Sequence, residues 1–309
     1  MKRFLTHIIV FSLFAVSVYV VLVLVWGTLS PSLLKPNINY NLGSYGYLNS
    51  RLKEAKQVSD VDIVFLGSSH TSRGFDNRIF AEAGYSSFNL GSAAQTPVQT
   101  QLLVERYLDS LSPELVIYEV YPAVFMLDGI ESALDVVSND KNDWLSLKMA
   151  SKINQLKVYN TYLYSVLRDL IRLDDDYVEP IKFKKDTYIS GGYIEKMVYF
   201  NEPKSYTDSI EFYIPDFQLE SFEFVINAVK ASGAELKIVY APITKVLYRS
   251  YTNNDYFDKL MTKYGDYRNY NKVLKLNDTV HFYDDNHLNQ LGVKVFNEKV
   301  IEDLAQGVL

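Results

Sequence analysis

The sequence predicts an α/β domain built on a parallel sheet and carried behind one N-terminal membrane helix. Short apolar runs rich in Val, Ile, Phe and Tyr recur along the chain, and helical patterns separate them. This alternation is typical of βαβ units with right-handed crossovers. An uncharged apolar stretch at the N-terminus predicts the membrane helix. With 309 residues, 48% of them hydrophobic, the chain can bury the core of one large domain or of two small ones.

The N-terminal apolar stretch runs from Phe4 to Trp26, 23 residues without an acidic residue, lysine or arginine. It is long enough to cross a bilayer as a helix. Lys2 and Arg3 precede it and the first acidic residue is Glu54. The positive-inside rule therefore predicts a cytoplasmic N-terminus and an extracytoplasmic remainder, in a periplasm or at an outer cell surface. A cleaved signal peptide is the alternative. The length of the stretch and the lack of a small-x-small site favour a retained single-pass anchor.

The predicted organisation has three parts: an anchor at 1–27, a linker and lead-in at 28–58 that is rich in Gly, Pro, Ser and Asn, and a catalytic domain at 59–309. Within this domain, 127–215 interrupts the alternation of strands and helices. It holds a helical region at 142–173 and then an acidic, aromatic loop with the sequences DDDY and SGGY. About 90 residues are too many for a connection, which indicates an insertion at the sheet's catalytic side or edge. Its apolar faces would form core, a lid or a docking surface, and core packing is favoured.

Composition excludes several function classes. The chain has no cysteine, which rules out disulfides, thiol catalysis and Cys-ligated metals. With four histidines, a His-rich metal site is not expected, and no cofactor is predicted. Residues 36–309 carry 28 basic and 37 acidic side chains, a net charge of −9. Such a domain is not typical of a nucleic-acid binder and gains nothing overall from lying flat on anionic lipid. The adjacent carboxylates Asp174 to Asp176 lack the alternating spacing of a calcium loop, so we expect a solvated acidic loop.

Individual elements follow from local signals. The predicted strands are 61–67, 86–91, 115–120, 236–243 and 280–284. A helix is predicted from Thr96, the expected N-cap, with Pro97 at its first position and Gln99 placed for a capping box. Further helices are predicted at 216–232, ending at Gly233, and along 288–307.

Three of these strands end on residues with catalytic potential. Gly67-Ser68-Ser69-His70 follows the first, Asn89-Leu90-Gly91 the second, and a segment with Asp284, Asp285 and His287 the last. Ligands of parallel α/β sheets bind beyond these strand ends. A nucleophilic serine needs a base, and the base needs a group that fixes its tautomer. Asp284 and His287, three residues apart, can supply both. The N–H groups of the serine and of Gly91 can stabilise an oxyanion.

These motifs resemble the SGNH/GDSL hydrolase superfamily, in particular its membrane-anchored branch of DltD-, AlgJ- and AlgX-like proteins. The resemblance covers 62–128 and 236–307. It implies a flavodoxin-like three-layer αβα sandwich with a five-stranded parallel sheet. It also implies roles for four residues: Ser69 as nucleophile, His287 as general base, Asp284 as its partner, and Gly91 with the Ser69 N–H as the oxyanion hole.

One part of the family pattern is missing. The Gly-x-Asn-Asp motif after the third strand is replaced by YEVYPAVF at 118–125, so a third oxyanion donor comes from elsewhere or the hole has two donors. DltD-like proteins also lack this asparagine. Glu119 and Tyr121 stand in the equivalent region, and a substrate contact and a structural role remain equally open for both.

Several neighbouring residues carry alternatives. We expect Ser68 to be a turn or N-cap residue and His70 to be a substrate or structural contact rather than the base. Arg73 can hold an anion or form a salt bridge. Gln95 can line the pocket or lie at the start of a helix without a role in the site. Asp285 is the alternative partner of the base, although the DxxH spacing favours Asp284. His281 is expected to be packed within the last strand.

The resemblance implies an extracytoplasmic acyltransferase that forms an acyl-enzyme and acylates a cell-envelope or exported polysaccharide, such as a teichoic-acid-like acceptor. It also implies a multipass membrane O-acyltransferase as partner. A carbohydrate esterase is the alternative enzyme, and a non-catalytic glycan-binding scaffold is the alternative from another class. Fold alone does not decide among these functions.

Overall fold

The computed structural model describes residues 1–43, 46–206 and 208–309, which form two compact units. One unit comprises Met1–Leu42 and Ala133–Val178, and the other Gly43–Ser132 and Glu179–Leu309. The helices are α1 (Lys2–Leu29), α2 (Leu48–Ala55), α3 (Ser69–Gly74), α4 (Asn77–Glu82), α5 (Pro97–Leu111), α6 (Pro122–Phe125), α7 (Ile130–Asn139), α8 (Trp144–Ile153), α9 (Leu156–Leu170), α10 (Asp216–Ser232), α11 (Lys245–Ser250), α12 (Asn254–Met261), α13 (Tyr270–Val273) and α14 (Gln290–Ala305), with a 3-10 turn at Ser32–Leu34. The strands are β1 (Ile63–Leu66), β2 (Ser87–Asn89), β3 (Leu115–Glu119), β4 (Lys182–Phe183), β5 (Asp186–Ile189), β6 (Tyr193–Lys196), β7 (Glu235–Tyr240) and β8 (Asp266–Asn269).

The predicted α/β architecture is confirmed in the second unit. Five parallel strands form a sheet in the order β2-β1-β3-β7-β8, the order of a flavodoxin-like sheet. Successive side chains of each strand face opposite sides of the sheet. Phe65 and Ile117 share a buried cluster with Phe296 of α14, whereas Tyr118 packs its ring 5.3 Å from that of Phe222 in α10. Helices therefore cover both faces, which makes three layers.

The helix signals read from the sequence are confirmed. Helix α5 begins with the predicted capping box between Thr96 and Gln99 and with Pro97 at its first position. Helix α10 ends at Gly233, which adopts the left-handed conformation expected of a C-terminal glycine. The first four predicted strands form as β1, β2, β3 and β7.

The fifth predicted strand, 280–284, is wrong. That segment is a loop whose backbone carbonyls accept hydrogen bonds from the buried Asn289 side chain, and its apolar signal comes from Phe282, which is buried in the core. The fifth strand is instead β8, DYRN, an edge strand without the apolar run of a central strand. The catalytic candidates Asp284 and His287 thus lie in a loop before α14.

The segment predicted as an insertion contains helices α7, α8 and α9 and then a small antiparallel sheet, β4-β5-β6. The SGGY sequence, predicted to lie in a long loop, instead forms the tight turn between β5 and β6. The predicted linker contains helix α2, whose buried Arg51 donates to the carbonyls of Gly46 and Gly192. Asp174 is not simply solvated, because it accepts hydrogen bonds from Arg168 and from the Tyr40 hydroxyl.

In the first unit, α1 is 28 residues long and, among the described residues, is the one helix long and apolar enough to span a membrane. Its C-terminal part packs on α9. A Cβ on Gly27 would lie 2.5 Å from the Tyr164 ring, so only glycine allows this approach. Val23 and Tyr164 share a buried cluster with Ile38.

Candidate active site

The turn after β1 presents Ser69. Gly67 has a φ of +138°, and a Cβ there would lie 2.3 Å from the Thr71 hydroxyl and 2.7 Å from the Glu119 carbonyl oxygen. Glycine is therefore required where the strand turns into α3. As predicted, Ser68 is the N-cap residue, and its hydroxyl accepts from the His70 N–H at 3.3 Å. Ser69 is the first residue of α3, at the carboxyl edge of the sheet.

The structure brings the three predicted triad residues together. His287 Nε2 lies 2.8 Å from Ser69 Oγ, and His287 Nδ1 lies 3.0 Å from each carboxylate oxygen of Asp284. One imidazole can thus take the hydroxyl proton while its other nitrogen donates to a carboxylate. This is the hydrogen-bond arrangement that a serine nucleophile requires.

Asp284 is held ionised. Burial by itself would raise the pKa of this carboxyl, but hydrogen bonds from the His287 ring and from the Asn286 and His287 N–H groups outweigh burial and lower the pKa below its ordinary value. The backbone bonds also fix the turn that carries His287. Asp284 is therefore both the partner of the base and the organiser of its loop.

Asn289 and Tyr283 support this loop, and neither was singled out from the sequence. The buried Asn289 caps α14 through Gly292 N–H and donates to the carbonyls of Tyr199 and Val280. The Tyr283 ring stacks on the His287 ring, with centroids 5.3 Å apart and planes 3° apart. The available signal was their position beside the DxxH motif. His281, predicted to lie in a strand, instead accepts from the Asn277 N–H within the same loop.

A second histidine lies beside the first. The His70 ring is 5.1 Å from the His287 ring and stacks on Tyr121 at 4.1 Å. Its Nδ1 is 3.8 Å from Glu119 Oε1, beyond hydrogen-bond distance. In the part of the chain that the structure describes, His70 Nε2 and Glu119 Oε2 are buried without a partner. Burial, and then the charge of His287, holds the pKa of His70 well below its ordinary value.

Burial also governs the carboxyl of this second pair. It raises the pKa of Glu119 to about 8, against the opposing hydrogen bonds from the Ala241 and Tyr121 N–H groups. The Tyr121 hydroxyl lies 2.9 Å from that of Tyr251 and is also buried. For His70, Glu119 and Tyr121 the structure therefore favours the structural alternative over direct contact with substrate.

The remaining predicted contacts have protein partners. Arg73 forms a bidentate ion pair with Asp186, at 3.2 and 2.9 Å, so its salt-bridge alternative is realised. Gln95 is buried, and its Oε1 accepts from Ser92 while its Nε2 donates to Thr100. It therefore links the loop before α5 to that helix and does not line the pocket.

The Asp285 carboxylate binds other partners than the His287 imidazole. Its carboxylate accepts from the Tyr206 hydroxyl at 2.8 Å and from the Lys204 N–H at 3.3 Å. The carboxylate thereby anchors the chain around 201–206. In this geometry Asp284, and not Asp285, is the partner of His287.

The predicted oxyanion donors differ in availability. The Gly91 N–H already donates to the Asn89 side chain at 3.0 Å, so this structure does not offer it to an oxyanion. Gly91 is required for a different reason, because a Cβ there would lie 2.6 Å from the Thr71 Cβ at the start of α3. Among the described residues the Ser69 N–H has no hydrogen-bond partner, and it lies at the N-terminus of a helix. It is the available donor.

A basic cleft lies next to the triad. Its volume is about 300 Å³ and its lining includes Lys245, Arg249, Lys275 and Pro242. Pro242 also lines the small cavity at His70 and His287, so the two spaces share a wall. None of the three cations forms an ion pair within the described ranges. The described residues contain no group of three or more acidic or histidine side chains placed to hold a metal ion.

Comparison with known proteins adds a likeness to solved structures. No protein-family model matches the sequence, and no curated protein matches it. A GDSL-like lipase from Bacteroides thetaiotaomicron is 11% identical, with 84% of this chain and 100% of that chain covered and a TM-score of 0.39. A candidate acylhydrolase from Bacteroides fragilis is 11% identical, with coverages of 86% and 99% and a TM-score of 0.40. A gut microbial diltiazem-metabolizing enzyme is 14% identical, with coverages of 79% and 47% and a TM-score of 0.28. At this low similarity the activity has to be argued from the site itself.

Proposed function

We propose that the chain is a membrane-anchored, extracytoplasmic serine acyltransferase of the SGNH/GDSL type. The observation that carries the proposal is the continuous hydrogen-bonded series from Ser69 Oγ through His287 to Asp284. The anchor α1, with Lys2 and Arg3 at its start, supports the location. The branch resemblance in the motifs supports transfer to a cell-envelope or exported polysaccharide, with a multipass membrane O-acyltransferase as partner.

The reaction follows from the positions of these groups. His287 Nε2 removes the hydroxyl proton as Ser69 Oγ bonds to the carbonyl carbon of an acyl ester, and the Ser69 N–H stabilises the oxyanion. The leaving alcohol takes that proton from His287, and an acyl-enzyme remains. An acceptor hydroxyl then gives its proton to His287 and attacks the acyl carbon. The bond from the acyl carbon to Ser69 Oγ breaks, and His287 returns the proton to Oγ. Asp284 stays ionised throughout and stabilises the imidazolium.

The basic cleft supports an anionic acceptor. Lys245, Arg249 and Lys275 line a space that shares Pro242 with the small cavity at His287, although the domain as a whole is acidic. Carboxylate or phosphate groups along a polysaccharide would be attracted to these cations and would bring neighbouring hydroxyl groups towards Ser69.

Ester hydrolysis is the second candidate, and exposure of the triad favours it. The Asp284 side chain is 44% exposed, and the cavity at His287 holds only about 10 Å³. The described residues leave the site open, so water would compete with a sugar hydroxyl unless a partner or the acceptor covers it.

The test compares adjacent serines. The full chain in detergent is treated with a fluorophosphonate probe, and release of p-nitrophenol from its acetate ester is followed. Ser69→Ala should abolish labelling and turnover. Ser68→Ala removes only a helix cap, worth about 1 kcal/mol, and should retain both.

Loss of labelling in both variants, or in neither, would contradict the assignment of Ser69. Transfer is tested separately, by supplying labelled acyl donor to native membranes. Label in polysaccharide that depends on Ser69 supports the transferase, and label only in released acid supports the esterase. A probe that never reacts, even in native membranes, would favour the non-catalytic scaffold.

A further inference from the structure

Helices α8 and α9 form an antiparallel hairpin, residues 144–170, called here the α8–α9 hairpin. Asn154 adopts the left-handed conformation and joins the two helices. The start of α8 lies beside the middle of α9, where the Asn142 side chain donates to Ser165 at 2.8 Å and the Tyr162 hydroxyl donates to the Asp143 carbonyl. The turn at Asn154 therefore lies at the other end of the hairpin.

Contacts with α1 give the direction of that turn. Near the end of α1, the Thr28 hydroxyl lies 3.2 Å from the Tyr164 hydroxyl and Gly27 packs on the same ring. Further towards the N-terminus of α1, the Tyr19 hydroxyl donates to Asn160. Moving towards the start of α9 thus means moving towards the start of α1, and the turn lies beyond Asn160 in that direction.

The end of the apolar stretch of α1 allows the depth of the turn in the bilayer to be estimated. Tyr19 precedes Trp26, the last residue of the apolar stretch, by seven residues, or about 10 Å of helix. If α1 spans the bilayer, the turn of the hairpin must lie at or below the level of Tyr19. The hairpin therefore reaches at least the depth, about 5–10 Å into the boundary between headgroups and acyl chains, at which interfacial helices lie.

Charge along the hairpin fits this location. The acidic residue of the hairpin is Asp169, at the end far from the turn, and 144–168 contains none, although residues 36–309 carry a net charge of −9. Lys148, Lys152 and Lys157 flank the turn, and Leu156 at the turn is 57% exposed. Lysines near a membrane extend their ammonium groups to the headgroups while their alkyl chains remain in apolar surroundings. The net negative charge of the whole domain opposes binding to anionic lipid, whereas the positive charge near the turn of the hairpin favours it.

We propose that the α8–α9 hairpin is a second membrane contact, with its turn inserted into the lipid interface beside α1 and its lysines at anionic headgroups. The proposal rests on α1 spanning the membrane, as in the proposed function, but not on any catalytic role. It makes the hairpin a lipid-binding element that limits rotation and tilt of α1.

The test exploits the absence of cysteine. Leu156→Cys, Leu170→Cys and Val16→Cys variants of the full chain are labelled with an environment-sensitive fluorophore and reconstituted, without other proteins, in vesicles of phosphatidylcholine and phosphatidylglycerol. Lipids with a spin-label quencher at shallow or deep positions report depth. Position 170 is the matched control, because it is also an exposed leucine of α9 but lies at the opposite end of that helix. Unchanged thermal unfolding verifies the fold of each variant.

We expect deep quenching at position 16, shallow quenching at 156 that is several-fold stronger than at 170, and blue-shifted emission at 156. Lys152→Gln with Lys157→Gln should reduce quenching at 156 in phosphatidylglycerol-containing vesicles. Equal quenching at 156 and 170, with position 16 still deep, would overturn the hairpin proposal and leave the anchor intact. A solvent-exposed position 16 would refute the span and the hairpin together. A probe at 156 that is shielded in native membranes but not in pure lipid would assign the surface to a protein partner and also overturn the proposal.

Discussion

Two histidine–carboxylate pairs lie side by side in the candidate active site, and they differ in almost every physical respect. His287 and Asp284 are partly exposed and joined at 3.0 Å, whereas His70 and Glu119 are buried and separated by 3.8 Å. Hydrogen bonds lower the pKa of Asp284, while burial raises the pKa of Glu119 to about 8. The carboxylate is thus ionised in the first pair, called here the ionic pair, and protonated in the second, called here the neutral pair.

The difference shows that hydrogen bonding and water, not residue type, decide which histidine can act as a base. A base must accept a proton and hold the resulting charge. His287 can do so because Asp284 is ionised beside it. His70 cannot do so at low cost, since its burial and the nearby His287 both oppose a positive charge.

Removing the imidazole of the ionic pair should have the largest effect. We expect His287→Ala to lower kcat/KM for p-nitrophenyl acetate by about 10⁴-fold or more, because the Ser69 hydroxyl then has no base. His281→Ala, a histidine of the same loop that lies away from Ser69, should retain most of the activity. A loss of less than about tenfold in His287→Ala would mean that another group removes the proton.

The carboxylate of the ionic pair should rank second. Asp284→Asn keeps the shape of the loop but can leave His287 in the wrong tautomer, and we expect a loss of about 10²- to 10⁴-fold in kcat. Asp285→Asn is the matched variant, and its effect should be small because Asp285 binds the 201–206 segment instead of the imidazole. Equal losses in the two variants would reopen Asp285 as the partner.

The sequence predicted four of the five strands of the sheet that carries the two pairs. Buried apolar runs identified β1, β3 and β7 because central parallel strands are apolar on both faces, and the edge strand β2 was identified from its own short buried run. The edge strand β8 was missed because its exposed side lets Asp266 and Arg268 replace apolar residues. The false strand at 280–284 arose because one loop residue, Phe282, is buried in the core and produces the same local pattern.

Ser69 was correctly predicted at the edge of the sheet because it follows β1. Asp284 and His287 were predicted there as the end of the false strand at 280–284, and they reach Ser69 instead from the loop before α14. The state of the second pair was not predictable in this way. Whether Glu119 is ionised depends on how completely distant parts of the chain cover it, and whether the Gly91 N–H is free depends on one rotamer of Asn89. Tertiary burial and side-chain geometry fix both.

The neutral pair can be tested through stability. The pKa of Glu119 in the folded chain is about 8, above its ordinary 4.5. Folding therefore takes up a proton between these values, and the free energy of unfolding should fall as pH rises from about 4.5 to 8. Glu119→Gln removes this carboxyl, so we expect it to gain stability over wild type, on the order of a few kcal/mol, between pH 5 and pH 8. Denaturant unfolding in detergent, with the exposed Glu220→Gln as control, measures the two slopes. Parallel curves for wild type and Glu119→Gln would show that Glu119 is ionised in the folded state.

Replacing the buried histidine should have the smallest effect. His70→Phe retains a ring for stacking on Tyr121 and removes Nε2, which has no partner among the described residues. Because an unpaired buried polar atom is costly, thermal stability should be unchanged or higher. Activity should fall by less than about tenfold, since a neutral ring that makes no hydrogen bond to His287 contributes only packing. His70→Ala, which removes the stacking as well, should be the more harmful of the two. If His70→Phe were instead as inactive as His287→Ala, then the neutral pair must exchange protons with the ionic pair during turnover, and the two would act as one relay.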